Sequence, residues 1–357
     1  EIYKPIGVIC GVTPSTNPIA TPLNYILNSI KSRNSIIICP NPRAYNTCLM
    51  LIENIRIVLK KHRFPINLIN IAPKELLRSE MIINLFNLCD RNIVTGNKNF
   101  ISKVQKSNKP YLIFGAGNPP IVIDKDVDLK KVVKSVIDSK SFDYSTSCSS
   151  DSVLIVNQEI YKNFLKELIK NHLYILNQNE KKRLDDIYFV KGTINQKIIA
   201  KNPNLILEMI DIKVKKQIKV IGYEINSETP KHYIFDEKIL PLIGIVKAKN
   251  FNHSVKIAKK VLNINGLGHS AGIYSKKKSN IMFYSQSLPV SRVLVNQPHS
   301  KSAGGNENNG LNTTLSLGCG NWGNNILNEN LALKEFCNIT RVVFRKKKKK
   351  NDRKRNS

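Results

Sequence analysis

Acidic residues are scarce in this chain: its 357 residues hold 26 Asp and Glu against 56 Lys and Arg, a formal charge of +30. Such an excess attracts polyanions and aids solubility, but it does not define a fold. The lysines are scattered through a sequence rich in Ile and Asn, and they concentrate only after Arg345. Long apolar runs are also missing. The longest, such as Ser35 to Cys39, fall far short of the roughly 20 residues that cross a membrane, so no membrane partner is expected. Aromatics make up 7%. The seven cysteines (10, 39, 48, 89, 148, 319 and 337) form no CxxC pair and no Cys/His spacing of the zinc-site kind. No metal site is expected, and reduced thiols in a cytoplasmic setting fit best. The first residue is Glu1 and a strand-like stretch, Pro5 to Cys10, follows at once; the expectation is that an N-terminal part is missing.

What is present is alternation. Strand-like runs at Gly7–Val12, Ser35–Cys39, Asn67–Ile71, Ile93–Thr95 and Tyr111–Phe114 are separated by helical spacing, notably Ala44–His62 and Lys98–Ser107. That order predicts a parallel sheet covered on both faces, with ligands at the carboxyl ends of its strands. A second α/β unit starts near Ser141, with a buried strand at Val153–Val156, a helix at Gln158–His172, and a further strand and helix at Leu242–Val246 and Ser254–Leu262. Gly and Asn make 303–325 a loop. A helix near Asn330–Cys337 and a strand at Thr340–Phe344 are expected to close the fold.

Four places could carry chemistry. The turn Thr13-Pro14-Ser15-Thr16-Asn17-Pro18 directly follows a strand, and an Asn amide there can donate to a developing oxyanion. Thr95-Gly96 ends another strand before a helix, where exposed N–H groups attract phosphate. Phe114-Gly115-Ala116-Gly117 permits close backbone approach, although a full GxGxxG is absent. Cys148 lies in the polar run Ser141 to Ser150, where a thiolate can act as nucleophile. Each also has an ordinary structural reading: a turn, a strand end, a Gly loop, a packed thiol.

The four taken in order resemble the aldehyde dehydrogenase superfamily, in particular its CoA-acylating branch, from about Lys4 to Arg345. Ser139-Lys140-Ser141-Phe142-Asp143 leading to Cys148 is similar to the branch's nucleophile segment. Asn308-Asn309-Gly310-Leu311 and Leu317-Gly318-Cys319-Gly320-Asn321-Trp322-Gly323 are similar to its C-terminal signature. The resemblance implies two Rossmann-like α/β domains with a terminal oligomerisation strand. Residues 1–140 would bind the nicotinamide cofactor and 141–332 would carry the nucleophile. Residues 333–345 would hold the oligomerisation strand, and 346–357 a disordered basic tail. It further implies a homo-oligomer, dimer or tetramer, and no specific nucleic-acid partner.

The implied reaction is oxidation of a small aldehyde with NAD or NADP, followed by transfer of the acyl group to coenzyme A. Cys148 would attack the aldehyde and carry the thioester, with Asn17, or alternatively Thr16, holding the oxyanion. Phe114 stands where hydrolytic relatives keep a Glu base, so hydrolysis is disfavoured and a thiol acceptor fits. His269 matches a histidine of the acylating branch. Glu237, in Glu237-Lys238-Ile239-Leu240-Pro241, matches a ribose-binding Glu. Thr95 and Gly96 resemble the pyrophosphate turn, with Asn97 replacing a usual glycine. Pro40, Pro42 and Arg43 resemble the adenosine-side loop, with Cys39 in place of a Lys. Thr13, Pro14, Thr16, Phe114 and Gly115 complete the expected cofactor contacts. Two other readings stand beside this one: an inactive or truncated member keeping the fold, and a basic nucleic-acid-binding protein.

Overall fold

The structure, a computed structural model, describes residues 1–345 apart from 79, 97 and 227–231. Asn97 and the basic tail from 346 onward therefore lie outside the described residues.

The first half of the chain supplies β1 (Ile2–Pro5), β2 (Val8–Thr13), β3 (Ser35–Pro40), β4 (Ile69–Ile71), β5 (Arg91–Thr95), β6 (Tyr111–Phe114), β7 (Pro120–Ile123) and β8 (Val153–Asn157). The second half supplies β9 (Leu173–Ile175), β10 (Phe189–Val190), β11 (Thr193–Ile194), β12 (Val220–Glu224), β13 (Leu242–Ala248), β14 (Ala271–Tyr274), β15 (Val293–Val295) and β16 (Cys337–Thr340). A five-stranded sheet runs β4-β3-β2-β5-β6 and a seven-stranded one β15-β14-β7-β8-β13-β12-β9; every pairing in both is parallel.

Parallel strands are covered on both faces, which is why they read as unbroken apolar runs. All five residues of β8 are buried. Helices Ala20–Lys31 and Tyr45–Lys61 pack Tyr25, Ile26, Cys48 and Ile52 against Ile9, Ile36 and Ile38 of the smaller sheet. Helix Leu129–Ser141 is capped by Asp128, whose carboxylate accepts from Lys131 N–H, and lays Val132, Val133, Val136 and Ile137 on the larger sheet. Each such fully buried Val or Ile is worth about 1.5–3 kcal/mol.

Three expectations need correction. The second sheet begins at Pro120, because β7 pairs with β8, so the step between sheets lies before residue 120 and not at 140/141. In place of a helix at Asn330–Cys337 there is a single 3-10 turn, Leu333–Phe336, which buries Phe336 against the smaller sheet's core. The last strand is Cys337–Thr340 and not Thr340–Phe344: it pairs antiparallel with β1, and Val342, Val343 and Phe344 are exposed beyond it. The apolar triplet suggested a strand, but backbone pairing to Ile2–Pro5 sets where the strand lies.

Candidate active site

Ten of the expected residues come together in one cleft of about 330 Å³: Thr13, Pro14, Thr16, Asn17, Thr95, Gly96, Phe114, Gly115, Cys148 and Glu237. Thr13, Thr95 and Phe114 are the last residues of β2, β5 and β6. Strand order reverses between β2 and β5, so the cleft opens at the switch point of the smaller sheet, where parallel sheets bind ligands. Thr95 is held by a hydroxyl cluster: Tyr25 Oη lies 2.6 Å from Thr95 Oγ1 and 2.8 Å from Ser316 Oγ. Four expected residues do not line the cleft: His269 stands behind Cys148, and the other three lie around β3 and the turn after it. Pro40 is buried at the end of β3, opposite Thr13 in register. Pro42 opens a short turn capped by Asn41 Oδ1, and Asn41 itself reaches the cleft wall. Arg43 is exposed, and its Nη1 donates to Gln196 Oε1.

The nucleophile loop is strained. Asp143, Tyr144 and Ser145 have φ of 47°, 47° and 63°, the left-handed region that costs a side-chain-bearing residue about 1–2 kcal/mol. The run is fixed by Ser145 Oγ donating to the Lys140 carbonyl and by Thr146 Oγ1 donating to Asp143 Oδ2 at 2.6 Å. Backbone strain held this firmly points to a functional turn. It presents Cys148, alone of the seven cysteines in not being buried.

Around Cys148 the fit is close. A Cβ on Gly117 would fall 1.9 Å from the Cys148 carbonyl oxygen and 2.9 Å from His269 Cε1, so only glycine fits there. His269 Nε2 lies 3.3 Å from Cys148 Sγ, and His269 Nδ1 lies 2.7 Å from Ser270 Oγ. If Nδ1–H donates to Ser270, Nε2 is left as an acceptor facing the thiol. Arg292 fixes this histidine's backbone, with Nη1 donating to His269 O at 2.7 Å and Nη2 to Gly318 O at 2.7 Å.

The electrostatics keep the resting pair neutral. Burial, then the Glu237 and Cys319 charges, push the Cys148 thiol up to about 12. Burial, then Arg292 and His299, hold His269 well below the usual imidazole range. A preformed thiolate–imidazolium pair is therefore disfavoured, and the thiol gives up its proton only as a bond forms to carbon. Burial raises Glu237 to about 7 even though Gly117 N–H donates to its Oε1 at 3.2 Å. Phe114, 2% exposed, puts a phenyl ring on the cleft wall, and a phenyl ring accepts no proton.

The sequence profile of the aldehyde dehydrogenase family matches residues 1–221. A sulfoacetaldehyde dehydrogenase of an Acholeplasma species is 35% identical over 344 residues, covering 95% of this chain and 70% of that protein. The chain belongs to the aldehyde dehydrogenase family, in its acylating branch. A succinate-semialdehyde dehydrogenase (acetylating) of Clostridium kluyveri is 33% identical over 357 residues, covering 98% of this chain and 77% of its own. An acetylating aldehyde dehydrogenase from Geobacillus thermoglucosidasius has the same fold, with a TM-score of 0.90 at 30% identity over 98% of this chain and 77% of that one. Among the described residues, no helix is long and apolar enough to cross a membrane, and no cluster of His, Cys, Asp and Glu could hold a metal ion.

Sequence reasoning missed Arg292, Asp151, Lys238 and the role of Lys140 as a buried charge beside the site. Arg292 reaches it from a distant part of the chain, whereas Asp151 and Lys238 lie close in sequence to Cys148 and Glu237 but carry no pattern of their own. Lys140 did leave a signal: it continues the apolar stripe Val133, Val136, Ile137 of its helix, where a charge should not be.

Proposed function

We propose that this enzyme oxidises a small aldehyde, of the sulfoacetaldehyde or acetaldehyde kind, with NAD or NADP, and transfers the acyl group to coenzyme A through a thioester on Cys148. One observation carries the reading: Cys148 Sγ lies on the cleft wall beside His269 Nε2, while the same wall has Phe114 in place of a carboxylate base.

In this mechanism the Cys148 thiol adds to the aldehyde carbon as its proton passes to His269 Nε2. The oxyanion is held by the Cys148 N–H and the Asn17 amide, with Thr16 as the other donor on that wall. The dinucleotide, when bound, accepts hydride. Thr13, Pro14, Thr95, Gly96 and Gly115 offer the cleft surface for its ribose and phosphates, and Glu237 accepts from ribose hydroxyls. Pro40, Pro42 and Arg43 flank Asn41 of the cleft wall in sequence and would meet the adenosine end. A positively charged nicotinamide ring, when bound, would favour loss of the Cys148 proton against the burial that opposes it. With no base at Phe114 to activate water, the thioester waits for a thiol.

A cytoplasmic location and a homo-oligomer complete the proposal; the antiparallel β1–β16 ribbon leaves Ile2 and Tyr3, on its two faces, exposed to a second copy. The test is a panel of aldehydes with CoA and each nicotinamide, read as acyl-CoA formed. Acyl-CoA from one member of the panel, lost in Cys148→Ala, is the expected result; equal turnover by the variant would overturn it.

A further inference from the structure

Behind the nucleophile loop lies a small buried chamber that the reaction above does not use. Its volume is about 10 Å³, the room one water needs, and its lining is polar: Lys140, Lys238, Glu237, Ser147 and Ser150. The two lysines are each 2% exposed but differently satisfied. Lys238 Nζ spends three donors at 2.8 Å on Ser152 Oγ, Ile234 O and Asp236 O. Among the described residues, Lys140 Nζ has one acceptor, Ser150 Oγ at 3.2 Å. Buried donors seek partners, and a water in the chamber would supply one. Glu237 lines both this chamber and the cleft, so it stands between the open site and the buried amine.

We propose that Glu237, backed by Lys140 through a water in this chamber, takes the thiol proton of coenzyme A and returns it to Cys148 as the acyl group moves. This rests on the CoA-acylating reading above. Once the reduced dinucleotide has left, the Glu237 carboxylate is free. It removes the proton from the CoA sulfur, and the resulting thiolate forms a bond to the thioester carbonyl carbon. Collapse breaks the bond to Cys148 Sγ, which leaves with the electron pair and takes the proton back. No net proton, electron or water is consumed.

Glu237 is the catalytic residue here and Lys140 a positioning residue, keeping the proton available at a matched site while the filled cleft excludes solvent. The charges around them suit the task. Lys140 is pushed down to about 7 by burial, against Asp151 and Glu237. Asp151, with His299 Nδ1 4.0 Å away, is pushed up to about 7 by burial. Glu237, facing Asp236, Lys238 and Lys140, is raised to about 7 by burial, so both it and Lys140 are shifted toward their neutral forms. Lys238, with all three of its donors spent on fixed acceptors, does not compete.

The test separates the two half-reactions in Lys140→Met, which keeps the Lys140 carbonyl that anchors Ser145. The nicotinamide-reduction burst without CoA should stay within about twofold of the parent, while the CoA-dependent step slows by at least about tenfold at pH 7. An aromatic thiol already ionised at pH 7 should erase that loss. Equal slowing of both steps, or the same loss with both thiols, overturns the proposal. Should the variant not fold, the parent enzyme decides: its CoA step must slow as pH falls through about 7, and a flat profile overturns the idea. Failure of the underlying reading looks different, as no burst and no thioester in the parent enzyme itself.

Discussion

Where the five-stranded sheet meets the cleft, it does so with residues at or after its strand ends: Thr13 and the turn beyond, Thr95 and Gly96, Phe114 and Gly115. The seven-stranded sheet contributes residues that precede its strands: Gly117 before β7, Cys148 before β8, Glu237 before β13 and His269 before β14. Carboxyl ends of parallel strands lead into helix N-termini with free N–H groups, suited to phosphates and ribose. Amino ends offer no such cradle. What they offer is side chains on tight, crowded turns: a thiol on a left-handed run, an imidazole on a glycine turn, a carboxylate backed by buried lysines. Under the proposed mechanism the two sheets would divide the work by the edge each presents, the smaller mainly to bind and the larger mainly to react.

That division is open to attack by substitution. The largest effect should come from Cys148→Ala, with acyl-CoA formation down at least about 10³-fold while dinucleotide binding by fluorescence titration is unchanged. His269→Ala should lower kcat by about 10²-fold with the dinucleotide KM within about twofold; a KM effect alone would put the histidine on the binding side. Asn17 can break the pattern, since it follows a strand of the binding sheet and yet faces the oxyanion. Asn17→Ala should lower kcat by about 10²-fold and Thr16→Val should not; the reverse result would assign the role to Thr16. Thr95→Val removes one hydroxyl of the Tyr25–Ser316 cluster and should raise the dinucleotide KM by about tenfold with kcat nearly unchanged. Arg43→Ala, on an exposed side chain, should shift the NADP-to-NAD preference by no more than about fivefold.

Much of this was legible in the sequence because parallel sheets write themselves plainly. β2, β3, β6 and β8 are largely apolar runs, and the strand-end turns follow in phase. The chain's end was misread because β16 is half exposed and takes its place from pairing with β1, a partner more than 330 residues away whose identity no local pattern reveals. In the site, Lys140 and Lys238 lay inside quoted motifs without being given a role, while most other motif residues were found to share the cleft. Arg292, which holds His269 by its backbone carbonyl, was not anticipated, because nothing near it in sequence distinguishes a buried guanidinium from a surface one. His269 itself was noticed only as part of a Gly-rich phrase; its contact with Cys148 spans 121 positions.

The burial of the other six cysteines has a practical side. Cys10 and Cys39 sit 3.5 Å apart between strands with no exposed surface, and Cys48, Cys89, Cys319 and Cys337 are likewise covered. A coloured disulfide reagent added to the native protein should therefore register one slow equivalent, blocked by aldehyde and cofactor together. The full seven should appear only after denaturant. With the site empty, the ratio of the two readings gives the folded fraction of a preparation, and the drop in the native reading on adding aldehyde and cofactor gives the occupancy of its reactive sulfur.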